Sequence, residues 1–219
     1  MWPNEKFSQL KALYYQLVPD LSEESWLKCE NALTVRTLNK GAIIMKEGQT
    51  CNHVSFINFG LVRMYHLTDG KEKTVCFTNE NTYLSDYHSF LTRKPSNKYL
   101  QAIEPTELVE INYDNLQMLY REVPEANQIG RMICEQVFIA MNDDSESRKN
   151  IPIEKRYTQL IAEQPWLLQK VPQYMIASLL GITPEALSRV KARMNKPIAK
   201  SGTLLASKQK VKQPLKKRA

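Results

Sequence analysis

Val171-Pro172-Gln173-Tyr174-Met175-Ile176-Ala177-Ser178-Leu179-Leu180-Gly181-Ile182-Thr183-Pro184-Glu185-Ala186-Leu187-Ser188-Arg189-Val190 is the stretch that decides how this chain is read. It spells a short helix, a tight turn and a second helix. Ala177 is small enough for two helices to approach closely, and Gly181 supplies the positive φ that such a turn requires. Thr183 is a good N-cap and Pro184 a good first helical residue. Ile176, Leu180, Ile182, Leu187 and Val190 fall on a shared inner face. This is a helix-turn-helix pattern, whose second helix enters the DNA major groove. That helix would expose Glu185, Ser188, Arg189, Lys191 and Arg193, with Gln173 and Thr183 beside it. Arginine grips guanine through two hydrogen bonds and glutamate accepts from cytosine. The competing reading is an ordinary helical hairpin on a basic surface.

Charge around this segment points the same way. The chain has 219 residues and a formal net charge of +7. Residues 170–219 carry twelve cations against the single acid Glu185, a net +11, while the first 169 residues carry 18 cations and 22 acids, a net −4. A mildly acidic body with a basic C-terminal quarter suggests a polyanionic partner for that quarter. The Lys-rich end, 197–219, either adds phosphate contacts or is a solvated basic tail.

Upstream, residues 113–149 read as helical, with Pro124 suited to a first turn. Ile129, Met132, Ile133, Gln136, Val137, Ala140 and Met141 recur at spacings of three and four. Such a stripe packs either on its own domain or on a second copy of the helix as a dimer seam. Asp143-Asp144-Ser145-Glu146-Ser147 and Ile151-Pro152 mark a boundary, followed by helices at about 153–164, 173–180 and 184–194. Between about 34 and 112 the texture is that of short strands. Runs such as Ala42–Met45, Val54–Ile57, Leu61–Tyr65, Thr74–Phe77, Tyr99–Ile103 and Glu107–Ile111 alternate with turn residues. That spacing predicts an antiparallel sandwich or barrel, and Asp69-Gly70 predicts a hairpin. Residues 1–33 read as helices, stopped at Pro19 and restarted at Ser22.

Other chemistries lack their residues. Cys29, Cys51, Cys76 and Cys134 are dispersed and form no CxxC, which argues against a zinc site or a disulfide scaffold. His53, His66 and His88 are the only histidines, and no two lie four residues apart. No nucleophile–base arrangement, metal cluster or phosphate loop is present, so an enzyme is not expected. No apolar run approaches a membrane span, and the N-terminus lacks a secretory pattern. A cytoplasmic protein is expected.

On these residues the chain resembles the Crp/Fnr family of bacterial transcription regulators, and most closely its Bacteroidetes-type members. The resemblance covers about residues 30–194 and is most specific over Ile176–Arg189. The turn glycines Gly41, Gly48, Gly60 and Gly70 fall where the family's β-roll turns are expected. It implies an α+β fold. N-terminal helices (1–33) precede an antiparallel β-roll of the cyclic-nucleotide-binding type (34–112). A long dimerisation helix (113–149), a helix-turn-helix domain (150–196) with a reduced or absent wing, and a basic tail (197–219) follow. It implies a homodimer on an inverted repeat of DNA, with Ile129, Met132, Ile133, Val137 and Ala140 in the seam and RNA polymerase as a further partner. Glu185-x-x-Ser188-Arg189 is similar to the base-reading pattern of the Fnr branch, which implies a half-site of TTGAT type. Pro184 stands where the Crp branch has an additional arginine, so one base contact is missing.

In cyclic-nucleotide-binding members of the family, a Gly-Glu segment and an Arg-Ser pair hold the ligand. Here residues 81–98 contain no Gly-Glu, and Ser96-Asn97 occupies the Arg-Ser place. Asp86 would repel a phosphate, so cyclic AMP is not expected to bind in the usual manner. The candidate effector residues are Tyr83, Ser85, Tyr87, Arg93, Ser96, Asn97 and Lys98. Arg93, Lys94 and Lys98 either hold another anion or are solvated loop cations. An Fnr-type iron–sulfur cluster lacks its bunched cysteines, and haem is not expected from three scattered histidines. The alternative function is a small-molecule sensor that acts through a protein partner, with vestigial DNA binding.

Overall fold

The computed structural model describes residues 5–194. Two N-terminal helices, α1 (Ser8–Leu17) and α2 (Glu23–Asn31), come first. Ser22 caps α2 by accepting from the Ser25 amide at 3.0 Å, while Glu23 and Glu24 sit in its electropositive first turn. Eight strands follow: β1 (Thr34–Leu38), β2 (Ile43–Met45), β3 (His53–Phe59), β4 (Leu61–Thr68), β5 (Lys71–Asn79), β6 (Tyr83–Leu84), β7 (Tyr99–Ala102) and β8 (Thr106–Asn112). A one-and-a-half-turn helix, α3 (Tyr87–Thr92), interrupts them after β6.

The strands form two four-stranded antiparallel sheets, β1-β8-β3-β6 and β2-β7-β4-β5. The expected hairpin is present, with Thr68 opposite Lys71. Asp69 (φ 50°) and Gly70 (φ 71°) are both left-handed, as a type I′ turn demands. Gly60, at φ 108°, links β3 to β4, and a Cβ there would meet the Pro105 carbonyl at 2.7 Å.

Side-chain parity sorts the core into three layers. Ile57, Val62, Met64, Leu84, Phe90, Leu100 and Leu108 fill the space between the sheets. Phe56, Val109 and Ile111 point the other way from the first sheet, onto α1, α2 and the helices that follow the roll. Leu61 and Phe77, with Ile103, lie outward from the second sheet and pack on the C-terminal domain. Leu61–Tyr65 is therefore buried without interruption, because both faces of β4 are covered.

Residues 113–150 form two helices: α4 (Tyr113–Glu122) and α5 (Pro124–Asn150). The sequence reading gives 113–149 as the dimerisation helix, with Pro124 suited to a first turn, and α5 begins at that proline. Val123 breaks the run with extended backbone (φ −127°, ψ 97°), since a residue before proline is pushed out of the helical region. The C-terminal domain comprises α6 (Ile153–Glu163), α7 (Leu167–Lys170), α8 (Gln173–Leu180) and α9 (Pro184–Met194). The four-residue α7 was not anticipated. The region foreseen for a wing and the basic tail, 197–219, lies outside the described residues.

Candidate nucleic-acid interface and sensor site

Local chemistry builds the C-terminal motif as its residues require. Gly181 closes α8 in the left-handed region (φ 73°, ψ 27°), and the Ile182 amide donates to the Ala177 carbonyl at 3.0 Å. Thr183 starts α9 by accepting from the Ala186 amide at 3.2 Å. Ala177, Ile176, Leu187 and Val190 are fully or almost fully buried where the helices meet. The opposite face of α9 presents Glu185, Ser188, Arg189 and Arg193 to solvent.

Glu185, Ser188 and Arg189 are thus gathered on one open surface. The Glu185 carboxyl is held below its ordinary value by its own backbone N–H and the Thr183 hydroxyl, with Arg189 adding a smaller electrostatic pull. It is ionised and ready to accept at neutral pH. The Ser188 hydroxyl rests on the Pro184 carbonyl at 3.1 Å. Lys191 is directed back to Gln173 (3.0 Å), and Arg193 to Glu154 (2.5 Å), so both meet protein partners first.

The other side of α8 holds this domain against the roll. The Ser178 hydroxyl accepts from the Thr74 amide at 2.9 Å and donates to the Glu72 carbonyl at 3.2 Å. Lys170 pairs with Glu104 at 2.7 Å. Sequence reasoning missed this contact, since nothing local says which strand a motif serine will touch.

The candidate effector residues divide into two groups. Around α3, the Asp86 carboxylate is 3% exposed and takes 2.6 Å and 2.7 Å hydrogen bonds from Ser96 Oγ and Lys98 Nζ. Burial would raise its carboxyl, but Lys98 and Ser96 together hold it below the ordinary aspartate value. Arg93 spends its guanidinium on the Cys51 and Phe90 carbonyls and Asn52 Oδ1, and lies 4.2 Å from the centre of the Tyr113 ring. Asn97 is exposed. Phe90, fully buried, occupies the adjoining roll interior between Tyr87 and Tyr113. A cyclic phosphate does not fit here: an internal carboxylate already takes the serine and the lysine, and the neighbouring arginine is bound to carbonyls.

Tyr83, Ser85 and Tyr87 instead line a cavity of about 430 Å³ outside the roll, between the first sheet and the helices. Leu10 and Tyr14 of α1, Phe56 and Val109 of the sheet, and Leu119 and Ile129 of α4 and α5 also line it. The Cys134 thiol donates to the Tyr87 hydroxyl at 3.4 Å, joining α5 to α3. Burial pushes the Tyr14, Tyr83 and Tyr87 phenols upward and the Cys29 thiol up to about 11, as a low-dielectric space requires. One sequence signal for this cavity was available. Gly130 sits inside α5, where a Cβ would come within 2.9 Å of the Tyr120 ring. An interior helical glycine often marks such a close approach.

The α5 stripe is divided too. Ile129 is buried in its own domain's core, with Ile133 packed on it, and Met132 is half-buried. Farther along, Val137, Phe138, Ile139 and Ala140 are exposed. Among the described residues no group of histidine, cysteine or acidic side chains has a metal-binding arrangement, and no helix is long and apolar enough to cross a membrane.

Residues 35–123 match the family model of the cyclic nucleotide-binding domain. Several solved structures share the fold. A transcriptional regulator assigned to the Crp/Fnr family from Eubacterium rectale is 19% identical, with a TM-score of 0.64 over 83% of this chain and 87% of that one. A variant of CooA from Carboxydothermus hydrogenoformans is 19% identical, with a TM-score of 0.60 over 81% and 83%. The c-di-GMP-responsive global regulator CLP of Xanthomonas campestris is 17% identical, with a TM-score of 0.60 over 79% and 91%. No curated protein matches the sequence. Residues 35–123 thus match a cyclic nucleotide-binding domain, and the chain as a whole shares the fold of these solved structures.

Proposed function

We propose that this chain is a sequence-specific DNA-binding transcription regulator of the Crp/Fnr type, acting in the cytoplasm as a homodimer on an inverted repeat. The observation that carries the reading is the open face of α9, where Glu185, Ser188 and Arg189 stand together without burial. Their donor and acceptor groups suit direct readout of a G·C pair and its neighbour. The cationic residues nearby supply attraction to phosphate, which positions the protein without choosing a sequence. Val137 and Ala140, three residues apart on one side of α5 and both exposed, offer the second copy an apolar contact. A dimer of this kind places its two readers about one helical turn apart on DNA.

The same geometry argues that the effector is not a cyclic nucleotide held in the usual manner, since Asp86, Ser96 and Lys98 satisfy one another. The test is a mobility-shift titration of a TTGAT-type inverted repeat against a scrambled duplex. Arg189→Ala should weaken binding to the repeat by about 1–3 kcal/mol and relax discrimination at one base pair per half-site. Equal affinity of Arg189→Ala and the wild type for the repeat would refute this assignment of the reading helix.

A further inference from the structure

We propose that the cavity between the outer face of the β1-β8-β3-β6 sheet and helices α1, α4 and α5 binds an uncharged, largely apolar small molecule bearing one hydrogen-bond acceptor. Its volume of about 430 Å³ lies within the range of small-molecule sites. Its lining residues include no lysine, arginine, histidine, aspartate or glutamate, so a charged ligand would lose its hydration and gain no counter-charge. The floor, with Leu10, Phe56, Val109 and Ile129, is almost wholly shielded from solvent. An apolar occupant would remove this apolar lining from water, which favours its binding.

One polar atom gives the site a preferred orientation. The Tyr83 hydroxyl is buried and makes no hydrogen bond of good geometry, although the Tyr14 phenol lies close by. A buried donor without a partner is rare and costly. A ketone, ester or lactone oxygen reaching it would satisfy it, while the hydrocarbon part fills the space against α5. A second copy packed on α5 would meet Val137 and Phe138 at the rim, which are 45% and 65% exposed.

The proposal concerns the sensor half alone. Its test is read without DNA, so its failure and a failure of the DNA-binding reading are separate results. The full chain is titrated with the neutral fluorophore N-phenyl-1-naphthylamine, then with 2-undecanone, decanoate and cyclic AMP as competitors. The expected result is saturable binding of one probe per chain at about micromolar Kd, displaced by the ketone and by neither anion. Ala126→Phe, which grows a side chain into the cavity, should weaken the probe about tenfold or more with native circular dichroism retained. Tyr83→Phe should leave probe affinity within about twofold and weaken 2-undecanone about three- to tenfold. If Ala126→Phe does not fold, Tyr83→Phe decides alone. Absence of saturable binding overturns the proposal. So does a folded Ala126→Phe that binds the probe like the wild type, equal displacement by decanoate or cyclic AMP, or loss of the site as the chain dimerises.

Discussion

The first sheet separates two apolar spaces, and they differ in how they are filled. On its inner side, Phe90, Leu84, Ile57 and Leu108 are packed to 2% exposure or less. The polar atoms at that edge are paired, with Asp86 closed on Ser96 and Lys98. On its outer side, the same sheet meets three helices across a cavity of about 430 Å³, and the Tyr83 hydroxyl makes no hydrogen bond of good geometry. A site evolved for a ligand leaves volume and polar valence unspent, whereas a structural core spends both. By that measure the roll interior is core, and the outer space is the better candidate for a ligand. The domain keeps the architecture of a cyclic nucleotide-binding module, and the cavity proposed as a ligand site lies on the far side of the sheet from the roll interior.

Truncation breaks this comparison most strongly on the inner side. Phe90→Ala should destabilise the protein by about 3–5 kcal/mol, because the ring is fully enclosed. Chemical denaturation checks it. A loss below about 1 kcal/mol would mean the roll interior is loosely packed and open to ligand after all.

Asp86→Asn probes the internal ion pair and should cost about 1–3 kcal/mol at neutral pH. Asp86 has its folded carboxyl held below the ordinary value, so its contribution is fully present above the unfolded aspartate value. It is lost as pH falls through the lower, folded value. The gap between wild type and Asp86→Asn should therefore close in strong acid and remain constant from weakly acid to neutral pH. A variant that gains affinity for an anion would show that the lysine was being kept from a ligand.

Tyr83→Phe gives the smallest effect and the opposite sign. Removing this hydroxyl, which makes no hydrogen bond of good geometry, should leave stability unchanged or raise it by up to about 1 kcal/mol. A loss of more than about 1 kcal/mol would show that the hydroxyl is satisfied and the outer space less ready for a ligand.

Legibility in the sequence followed the range of the interactions. The C-terminal motif was readable because its determinants are local: a left-handed glycine, a threonine cap and a proline at the first helical position. Asp69-Gly70 was readable for the same reason. The short strands β1 and β6 were not read as runs, because five and two residues carry too little alternation. Pro124 as a first helical residue was legible, and α5 starts there; the extended backbone at Val123 that separates it from α4 follows from the same proline. The candidate effector residues were named from a chain segment, and the fold sends Tyr83, Ser85 and Tyr87 to one side and Ser96 and Lys98 to the other. Leu10, Tyr14 and Leu119 join the first set only through tertiary packing, which no spacing rule reports. The exposed strip of α5 was half legible: the period of the stripe was right, but burial of Ile129 depends on what α1 and α4 cover.

Selection of bound duplexes from a random DNA pool tests the central claim most directly. The account predicts enrichment of an inverted repeat whose half-sites are of TTGAT type and lie about one helical turn apart, with Arg189→Ala losing preference at a G·C pair in each half. Recovery of a pool without a shared motif, held only by salt-sensitive attraction, would contradict it.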